Sequence, residues 1–137
     1  MKKINCILLV DDNYADNVFH KIQISEADIC NQIKVVTNGR EALDYIIKSG
    51  EPNQSKEFPK PDIIFLDINM PGMNGFEFLE EYHKLDETLK AKIVIIMLST
   101  SLNPNDKTKA IAFKEVTEFQ NKPLTVEILQ ETIEKYF

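Results

Sequence analysis

Two short stretches of the chain are apolar at every position, and they constrain its fold more than any other feature of the sequence. Residues 63–66 read IIFL and residues 93–96 read IVII. A strand with one solvated face would alternate apolar and polar residues, so these runs indicate strands that are buried on both faces. Such strands belong to parallel sheets that carry helices above and below. The sequence therefore predicts an α/β fold.

The rest of the chain continues this pattern. The five predicted strands cover residues 4–10, 33–36, 62–67, 92–98 and 116–121. A stretch with helical periodicity follows each strand, so five helices are expected to alternate strictly with five strands. Because crossovers between parallel strands are right-handed, the chain should wind into one five-stranded parallel sheet with helices on both faces. Residues 1–137 are predicted to form a single domain, with residues 49–61 as a surface loop before the third strand.

The first predicted helix has a clear apolar periodicity. Ala15, Val18, Phe19 and Ile22 fall at positions i, i+3, i+4 and i+7. Residues at this spacing lie on one face of an α-helix, and an apolar face normally packs against the core. We therefore expect these four side chains to be buried.

The charge balance restricts the kinds of partner. The chain has 22 acidic and 16 basic residues and a formal net charge of −6. Nucleic acids and anionic membranes both attract proteins through a positive field, so neither is expected as a main partner. The first apolar run is interrupted at positions 11 and 12, too early for a signal peptide, and no window approaches the ~20 apolar residues of a membrane span. We expect a cytoplasmic protein that binds other proteins or cations.

Acidic residues follow two of the predicted strands at the point where each strand ends. Asp11 and Asp12 close the first strand, and Asp67 closes the third. In an open α/β sheet, ligands bind outside the carboxyl ends of the strands, where the winding direction reverses. With strand order 2-1-3-4-5, that point lies between strands 1 and 3, so the three carboxylates would share one pocket. Such a cluster needs a compensating cation, and Mg2+ typically joins one or two carboxylates to a phosphate group.

The fourth and fifth strands bring further polar groups to the same edge of the sheet. Ser99 and Thr100 follow the fourth strand, and Lys122 precedes Pro123 where the fifth strand should end. A lysine beside a carboxylate pocket can pair with Asp67 or with an incoming phosphoryl oxygen. An ordinary surface lysine is the alternative. The shared position of these residues at strand ends favours the pocket.

Together these motifs resemble the receiver domain of bacterial two-component response regulators. The acidic pair in LLVDDN, the aspartate in IIFLDINMPGMNG, the hydroxyl after IIML and the KP pair near the end occur in the family's order and spacing. The resemblance covers the chain from about Ile4 to Tyr136 and implies a flavodoxin/CheY-like fold. It also implies a stand-alone receiver with no output domain. Such a protein is a signalling phosphoacceptor in a phosphorelay, and its only catalysis is its own phosphorylation and slow dephosphorylation.

The resemblance implies a role for each residue of the pocket. Asp67 would accept a phosphoryl group from a phosphohistidine on a sensor histidine kinase or a histidine phosphotransfer protein. Asp12, Asp67 and the backbone carbonyl of Asn69 would bind Mg2+, and Asp11 would hold a metal-bound water. Lys122 would neutralise charge on the phosphoryl group, which is most of what phosphoryl transfer asks of a protein.

The switch that follows phosphorylation is expected at the fourth and fifth strands. Ser99 would hydrogen-bond a phosphoryl oxygen, with Thr100 as the alternative if the register is off by one. Phe119 would then swing inward and change a protein-binding surface for an unknown downstream target, with homodimerisation as one outcome. The family commonly has tyrosine at this position. Phe119 keeps the bulk and lacks the hydroxyl, so plain core packing is an equal alternative for it.

Three other functions compete with this one. A haloacid-dehalogenase-like phosphatase also uses an aspartyl nucleophile at a strand end, but it needs an acid two residues later, where this chain has Asn69. A flavodoxin-like electron carrier needs a Ser/Thr- and Gly-rich phosphate loop after the first strand, and residues 11–17 are acidic instead. A receiver used as a constitutive protein-binding module keeps the fold without the chemistry. That alternative predicts partner binding that is unchanged by Asp67→Asn.

Overall fold

The described part of the chain forms a parallel sheet with helices on both of its faces. In the computed structural model, residues 3–100 and 103–137 are described. The strands are β1 (Ile4–Val10), β2 (Cys30–Val36), β3 (Ile63–Asp67), β4 (Val94–Ser99) and β5 (Val116–Asn121). They pair in the order β2-β1-β3-β4-β5, and every neighbouring pair is parallel. The predicted sheet and its strand order are confirmed.

Helices connect these strands, and the described residues contain one more than was predicted. They are α1 (Tyr14–Ala27), α2 (Gly39–Ser49), α3 (Gly75–His83), α4 (Glu87–Lys90), α5 (Pro104–Ile111) and α6 (Val126–Tyr136). The additional helix is α4, whose single turn is capped by Asp86 accepting a hydrogen bond from the Thr88 backbone N–H at 2.9 Å. One capped turn is too short to show a helical periodicity, so strict alternation was wrong here. None of the described helices has the length and apolar character needed to cross a membrane.

Each face of the sheet has its own apolar core. The central strand β3 is buried at all five of its positions, as its sequence predicts. Successive side chains of a strand point to opposite faces. Ile64 accordingly belongs to the core cluster that contains Phe78 of α3. Phe65 belongs to the other cluster, with Ile24 of α1 and Leu129 of α6. Packing on both faces fixes where the carboxyl ends of the central strands lie.

The predicted buried face of α1 is wrong. Val18, Phe19 and Ile22 are 39%, 42% and 50% exposed, and Ala15 is exposed as well. The side chains of α1 that are buried instead are Asn17, His20, Ile24 and Ala27. The helix is therefore rotated about its axis relative to the orientation that its apolar periodicity predicts.

Polar contacts explain this orientation of α1. His20 is buried, and its Nε2 accepts a hydrogen bond from the Leu124 backbone N–H at 3.1 Å. Burial, with the nearby charge of Lys122, lowers the pKa of His20, so the ring stays neutral and can accept. Gln23 Oε1 accepts from the Val126 backbone N–H at 3.1 Å. A buried N–H without an acceptor is costly, so the side of α1 that carries His20 and Gln23 turns inward, and Val18, Phe19 and Ile22 are left exposed.

The loop before β3 lies on the surface, as predicted. Residues 51–57 are mostly exposed and follow a series of turns. The end of the loop is anchored to α2, because the Phe58 ring packs against Tyr45 with 5.4 Å between centroids. The Tyr45 hydroxyl also donates to the Pro59 carbonyl at 2.7 Å.

Candidate functional site

The carboxyl ends of β1 and β3 bring three carboxylates together. Val10 pairs with Leu66 across these strands, so the residues that follow them, Asp11 and Asp67, are neighbours. With Asp12 they form a cluster in which one carboxylate oxygen from each residue lies within 4.8 Å of the others. Asp11 and Asp67 are buried and Asp12 is exposed. These three acids share one pocket, as their positions at strand ends predict.

Lys122 reaches this cluster from the end of β5. Its backbone N–H donates to the Ser99 carbonyl at 2.9 Å, which holds the chain after β5 against the end of β4. Its side chain is only 8% exposed. The ammonium nitrogen Nζ lies 2.6 Å from Asp11 Oδ2 and 3.1 Å from Asp67 Oδ1. Lys122 is therefore inside the pocket and is not an ordinary surface lysine.

A fourth carboxylate, Asp16, also belongs to the pocket and was not predicted from the sequence. Asp16 Oδ2 lies 2.8 Å from Lys122 Nζ, and the Asp16 side chain is 35% exposed. The residue sits in the first turn of α1, where its backbone N–H donates to the capping side chain of Asn13 at 3.0 Å. The helix begins shortly after the acidic pair Asp11 and Asp12, so an acid in its first turn must lie close to that pair. This short spacing in the sequence is the signal from which Asp16 could have been predicted.

Burial and like charges shape the electrostatics of the pocket. Burial, and then repulsion from Asp11, raises the pKa of Asp67 from its ordinary value of 3.8 to about 6, although Lys122 offsets part of the effect. For Lys122, burial would lower the pKa, but hydrogen bonds to Asp11 and Asp16 outweigh burial and the net pKa is raised. The ammonium therefore stays charged at neutral pH. One ammonium faces several carboxylates, and this excess of negative charge suits a hard divalent cation.

Hydrogen bonds fix the turn that carries Asp11. Its carboxylate Oδ1 accepts from the Asn13 backbone N–H at 2.9 Å. Its backbone carbonyl accepts from the Asn17 side-chain amide at 2.8 Å, and its own N–H donates to the Val36 carbonyl at 3.1 Å. These hydrogen bonds connect the turn between β1 and α1 to α1 itself and to β2. They keep the Asp11 carboxylate directed into the pocket.

Gly75 supports Asp67 from behind. It is the first residue of α3, and its backbone N–H donates to the Ile68 carbonyl at 2.9 Å. A Cβ added at Gly75 would lie 2.5 Å from the Asp67 carbonyl oxygen. A side-chain carbon cannot lie that close to an oxygen atom. Because glycine has no Cβ, α3 can begin directly against the end of β3.

The remaining predicted residues lie around this pocket in different environments. Ser99 is buried at the end of β4, whereas the neighbouring Thr100 is exposed. Phe119 is half-buried, pairs with Met97 across β4 and β5, and packs against the core on that face. Asn69 is exposed two residues after Asp67. The burial of Ser99 favours it over Thr100 for contact with a group on Asp67, while the roles of these residues remain predictions.

Comparison with known proteins decides the family. The family model for the response regulator receiver domain matches residues 7–134. The chain belongs to this family. Two-component response regulator 24 of Arabidopsis thaliana is 30% identical to the receiver over 128 residues, which covers 93% of this chain and 81% of that protein. Receiver domains of this family are phosphoacceptors in two-component signalling.

Solved structures agree with this assignment. A two-component response regulator from Cytophaga hutchinsonii matches the receiver with a TM-score of 0.83 and 32% identity, over 98% of this chain and 97% of that one. The phosphorylated cyanobacterial phytochrome response regulator RcpA matches with a TM-score of 0.78 and 29% identity, over 97% of this chain and 94% of that one. The CheY-like fold implied by the motifs is therefore confirmed. The phosphatase and the flavodoxin-like electron carrier belong to other families and are set aside.

Proposed function

We propose that this receiver accepts a phosphoryl group on Asp67 from a phosphohistidine carried by a sensor histidine kinase or a histidine phosphotransfer protein. The observation that carries the proposal is the position of the Asp67 carboxylate at the carboxyl edge of the sheet. It lies 3.1 Å from the Lys122 ammonium and shares its pocket with Asp11 and Asp12. A nucleophile, a fixed positive charge and metal-binding oxygens side by side are what phosphoryl transfer requires.

Asp67 acts as the nucleophile in this proposal. One carboxylate oxygen attacks phosphorus, and the new O–P bond forms as the P–N bond of the phosphohistidine breaks. The electron pair of the P–N bond leaves with an imidazole that is protonated on its other nitrogen, so a neutral imidazole is released. The product on the receiver is an acyl phosphate. The Lys122 ammonium, already in contact with Asp67, neutralises charge on the transferred group.

The oxygen-only donor set of the pocket fits Mg2+, which binds hard oxygen ligands. The carboxylates of Asp12 and Asp67 and the backbone carbonyl of Asn69 are the proposed ligands, and Asp11 would act through a water. When bound, the ion supplies positive charge next to the phosphoryl group. The pocket needs such a charge, because Lys122 alone already faces three carboxylates.

Ser99 and Phe119 are the proposed link from the pocket to a downstream protein. Ser99 is buried at the end of β4, in the strand position that follows the partner of Asp67. Its hydroxyl would donate to a phosphoryl oxygen, and Phe119 on the adjacent strand would repack in response. Local electrostatic changes of this kind shift a two-state element, and the shift alters the protein-binding surface.

The donor protein is proposed to dock on the exposed apolar residues of α1, which we call the α1 patch. It consists of Tyr14, Val18, Phe19 and Ile22, with exposures of 79%, 39%, 42% and 50%. The patch starts two residues after Asp12, at the rim of the pocket. A donor that brings its phosphohistidine to Asp67 must cover this rim. Large apolar side chains grouped on a surface mark an interaction site.

Ile22→Lys should slow phosphoryl transfer from a donor protein by about tenfold, because a charged side chain would be placed in an apolar contact. Any phosphorylated histidine phosphotransfer protein that transfers to the wild type serves as the donor. Phosphorylation by acetyl phosphate, which needs no docking surface, should be unchanged. Ile111→Lys is the matched control, since Ile111 is an isoleucine of α5 that is 56% exposed. Equal slowing by both variants, or by neither, would remove the α1 patch as the docking surface.

Mass spectrometry of the intact protein tests the proposed function. Incubation of the wild type with acetyl phosphate and Mg2+ should add one phosphoryl group, and a chelator in place of Mg2+ should prevent the addition. Borohydride reduction of the acyl phosphate followed by peptide mapping should locate the group at Asp67. A folded protein that takes no phosphoryl group under any condition would instead support a constitutive protein-binding module.

A further inference from the structure

Asp16 gives Lys122 a third carboxylate partner. A lysine ammonium has three N–H donors and no acceptor. Nζ of Lys122 has three carboxylate oxygens within reach, at 2.6 Å in Asp11, 2.8 Å in Asp16 and 3.1 Å in Asp67. The ammonium is therefore held from three sides, and the Asp16 contact comes from a helix, whereas the other two come from strand ends.

Asp16 differs from the other two partners in what else it can bind. Asp11 and Asp67 belong to the cluster of acids whose oxygens could share a metal ion, and Asp16 does not. A cation in that cluster would engage Asp67 directly and Asp11 through a water, so both carboxylates would be shared between the cation and Lys122. Asp16 lies outside the cluster, so its contact with Lys122 can persist through phosphorylation.

The same side of α1 also holds the backbone after Lys122. His20 accepts from the Leu124 N–H and Gln23 accepts from the Val126 N–H, each at 3.1 Å. Asp16, His20 and Gln23 are spaced by four and three residues, which places them on one helical face. They contact every second residue of the segment 122–126. This face of α1 thus fixes both the main chain of the segment and the ammonium at its start.

We propose that Asp16 is a positioning residue for phosphoryl transfer, which holds the Lys122 ammonium so that one donor stays directed at Asp67. The inference rests on the proposed function of Asp67. When the phosphoryl group arrives, one of its oxygens replaces the Asp67 carboxylate as an acceptor for that donor. Asp16 keeps the ammonium in place during the exchange. Without Asp16, the Lys122 ammonium would turn toward other carboxylates or solvent. Its donor would then no longer be directed at Asp67, and a misplaced group of this kind slows phosphoryl transfer.

A purely electrostatic role for Asp16 makes a different set of predictions. Its negative charge repels an incoming phosphoryl group, so removing the charge alone would speed phosphorylation by an anionic donor. Asp16→Asn and Asp16→Ala remove the charge equally. They differ in that the asparagine side-chain oxygen can still accept a hydrogen bond from Lys122. Comparison of these two variants therefore separates positioning from charge.

Phosphorylation by acetyl phosphate with Mg2+ is the first measurement. Asp16→Ala should slow it by about five- to tenfold, and Asp16→Asn should slow it by no more than about twofold. Glu26→Gln is the control, because it removes one negative charge from an exposed position of the same helix, and it should have no effect. Equal rates in the two Asp16 variants, or faster phosphorylation in both, would overturn the positioning role.

The Lys122 ammonium signal in proton–nitrogen NMR spectra is the second measurement, and it needs no phosphorylation. The signal is assigned by its absence in Lys122→Met. It should be visible in the metal-free wild type, retained in Asp16→Asn, and broadened by solvent exchange in Asp16→Ala. An unchanged signal in Asp16→Ala would show that Asp16 does not hold the ammonium. If the wild type takes no phosphoryl group although these NMR signals behave as expected, the proposed phosphorylation of Asp67 is wrong, whereas the contact between Asp16 and Lys122 is confirmed.

Discussion

Asp67→Asn should abolish the phosphoryl adduct and at the same time make the metal-free protein more stable. The loss of the adduct follows because an amide oxygen is a poor nucleophile and forms no stable acyl phosphate. The gain in stability follows from the pocket itself. The Asp67 side chain is only 10% exposed, and burial together with Asp11 raises its pKa to about 6. The ionised carboxylate is therefore costly in the folded state.

The pH dependence gives this gain a definite sign. The folded protein binds the Asp67 proton more tightly than the unfolded chain, since the pKa is raised from 3.8 to about 6. Stability is then lost as pH rises through this window, and the penalty is full above it. A shift of about two pKa units corresponds to at most about 3 kcal/mol. The pKa of about 6 already includes the attraction of Lys122. The asparagine amide must find its own hydrogen-bond partners in the buried pocket, so we expect a net gain of about 1 to 2 kcal/mol at pH 7.5.

Urea unfolding followed by circular dichroism, in the presence of EDTA, measures this difference. The advantage of Asp67→Asn should be present at pH 7.5 and should be nearly absent at pH 4, where Asp67 is protonated in the folded wild type. Asp12→Asn is the matched control from the same cluster. Asp12 is exposed, so its substitution should change the free energy of unfolding less. A metal-free Asp67→Asn protein that is less stable than the wild type at pH 7.5 would contradict the pKa argument.

Binding of a downstream partner to the Asp67→Asn protein tests the function of the modification. A receiver that switches its surface should bind at least one partner more weakly when it has no phosphoryl group. Equal binding by the wild type treated with acetyl phosphate and by Asp67→Asn would support the constitutive binding module.

Gly75→Ala should cost about 3 kcal/mol of stability and should also impair phosphorylation. The added Cβ would lie 2.5 Å from the Asp67 carbonyl oxygen and 3.1 Å from the Ile68 Cα. Both neighbours are backbone atoms of a buried segment and cannot rotate away, so α3 must shift or β3 must bend. Overpacking of this kind costs about 1 to 3 kcal/mol and occasionally more. Bending the end of β3 would move the Asp67 carboxylate relative to Lys122.

Gly72→Ala is the control for the conformational effect of losing a glycine. Gly72 has a φ of +71°, and a Cβ there would meet no atom within 4 Å. The substitution then costs only what an alanine needs to adopt the left-handed backbone conformation, which is about 1 to 2 kcal/mol. Urea unfolding should show the larger loss for Gly75→Ala, and phosphorylation by acetyl phosphate should be slowed only in that variant. Equal effects of the two substitutions on both measurements would mean that the contact with Asp67 does not matter.

The sequence by itself determined the sheet and most of the pocket. Uninterrupted apolar runs such as residues 63–66 can be satisfied only by burial on both faces. Once the strands are parallel, the residues that follow them lie at one edge, and the order 2-1-3-4-5 that is typical of the receiver family puts strands 1 and 3 side by side, so that Asp11 and Asp67 meet. The apolar runs and the strand ends are local properties of the sequence, whereas the strand order was expected from the resemblance to that family.

The tertiary structure alone decided the rotation of α1 and, with it, the place of Asp16. The apolar periodicity of Val18, Phe19 and Ile22 points to a buried face, yet these residues are exposed. The backbone N–H groups of Leu124 and Val126, more than 100 residues away in sequence, need acceptors and draw the acceptor side chains of α1 inward. Each of these N–H groups left unpaired would cost about 1 to 3 kcal/mol. Val18, Phe19 and Ile22 already have half or more of their surface buried, so the observed orientation gives up only part of their burial free energy. No pattern within α1 contains that information, because the groups that decide the orientation lie on another part of the chain.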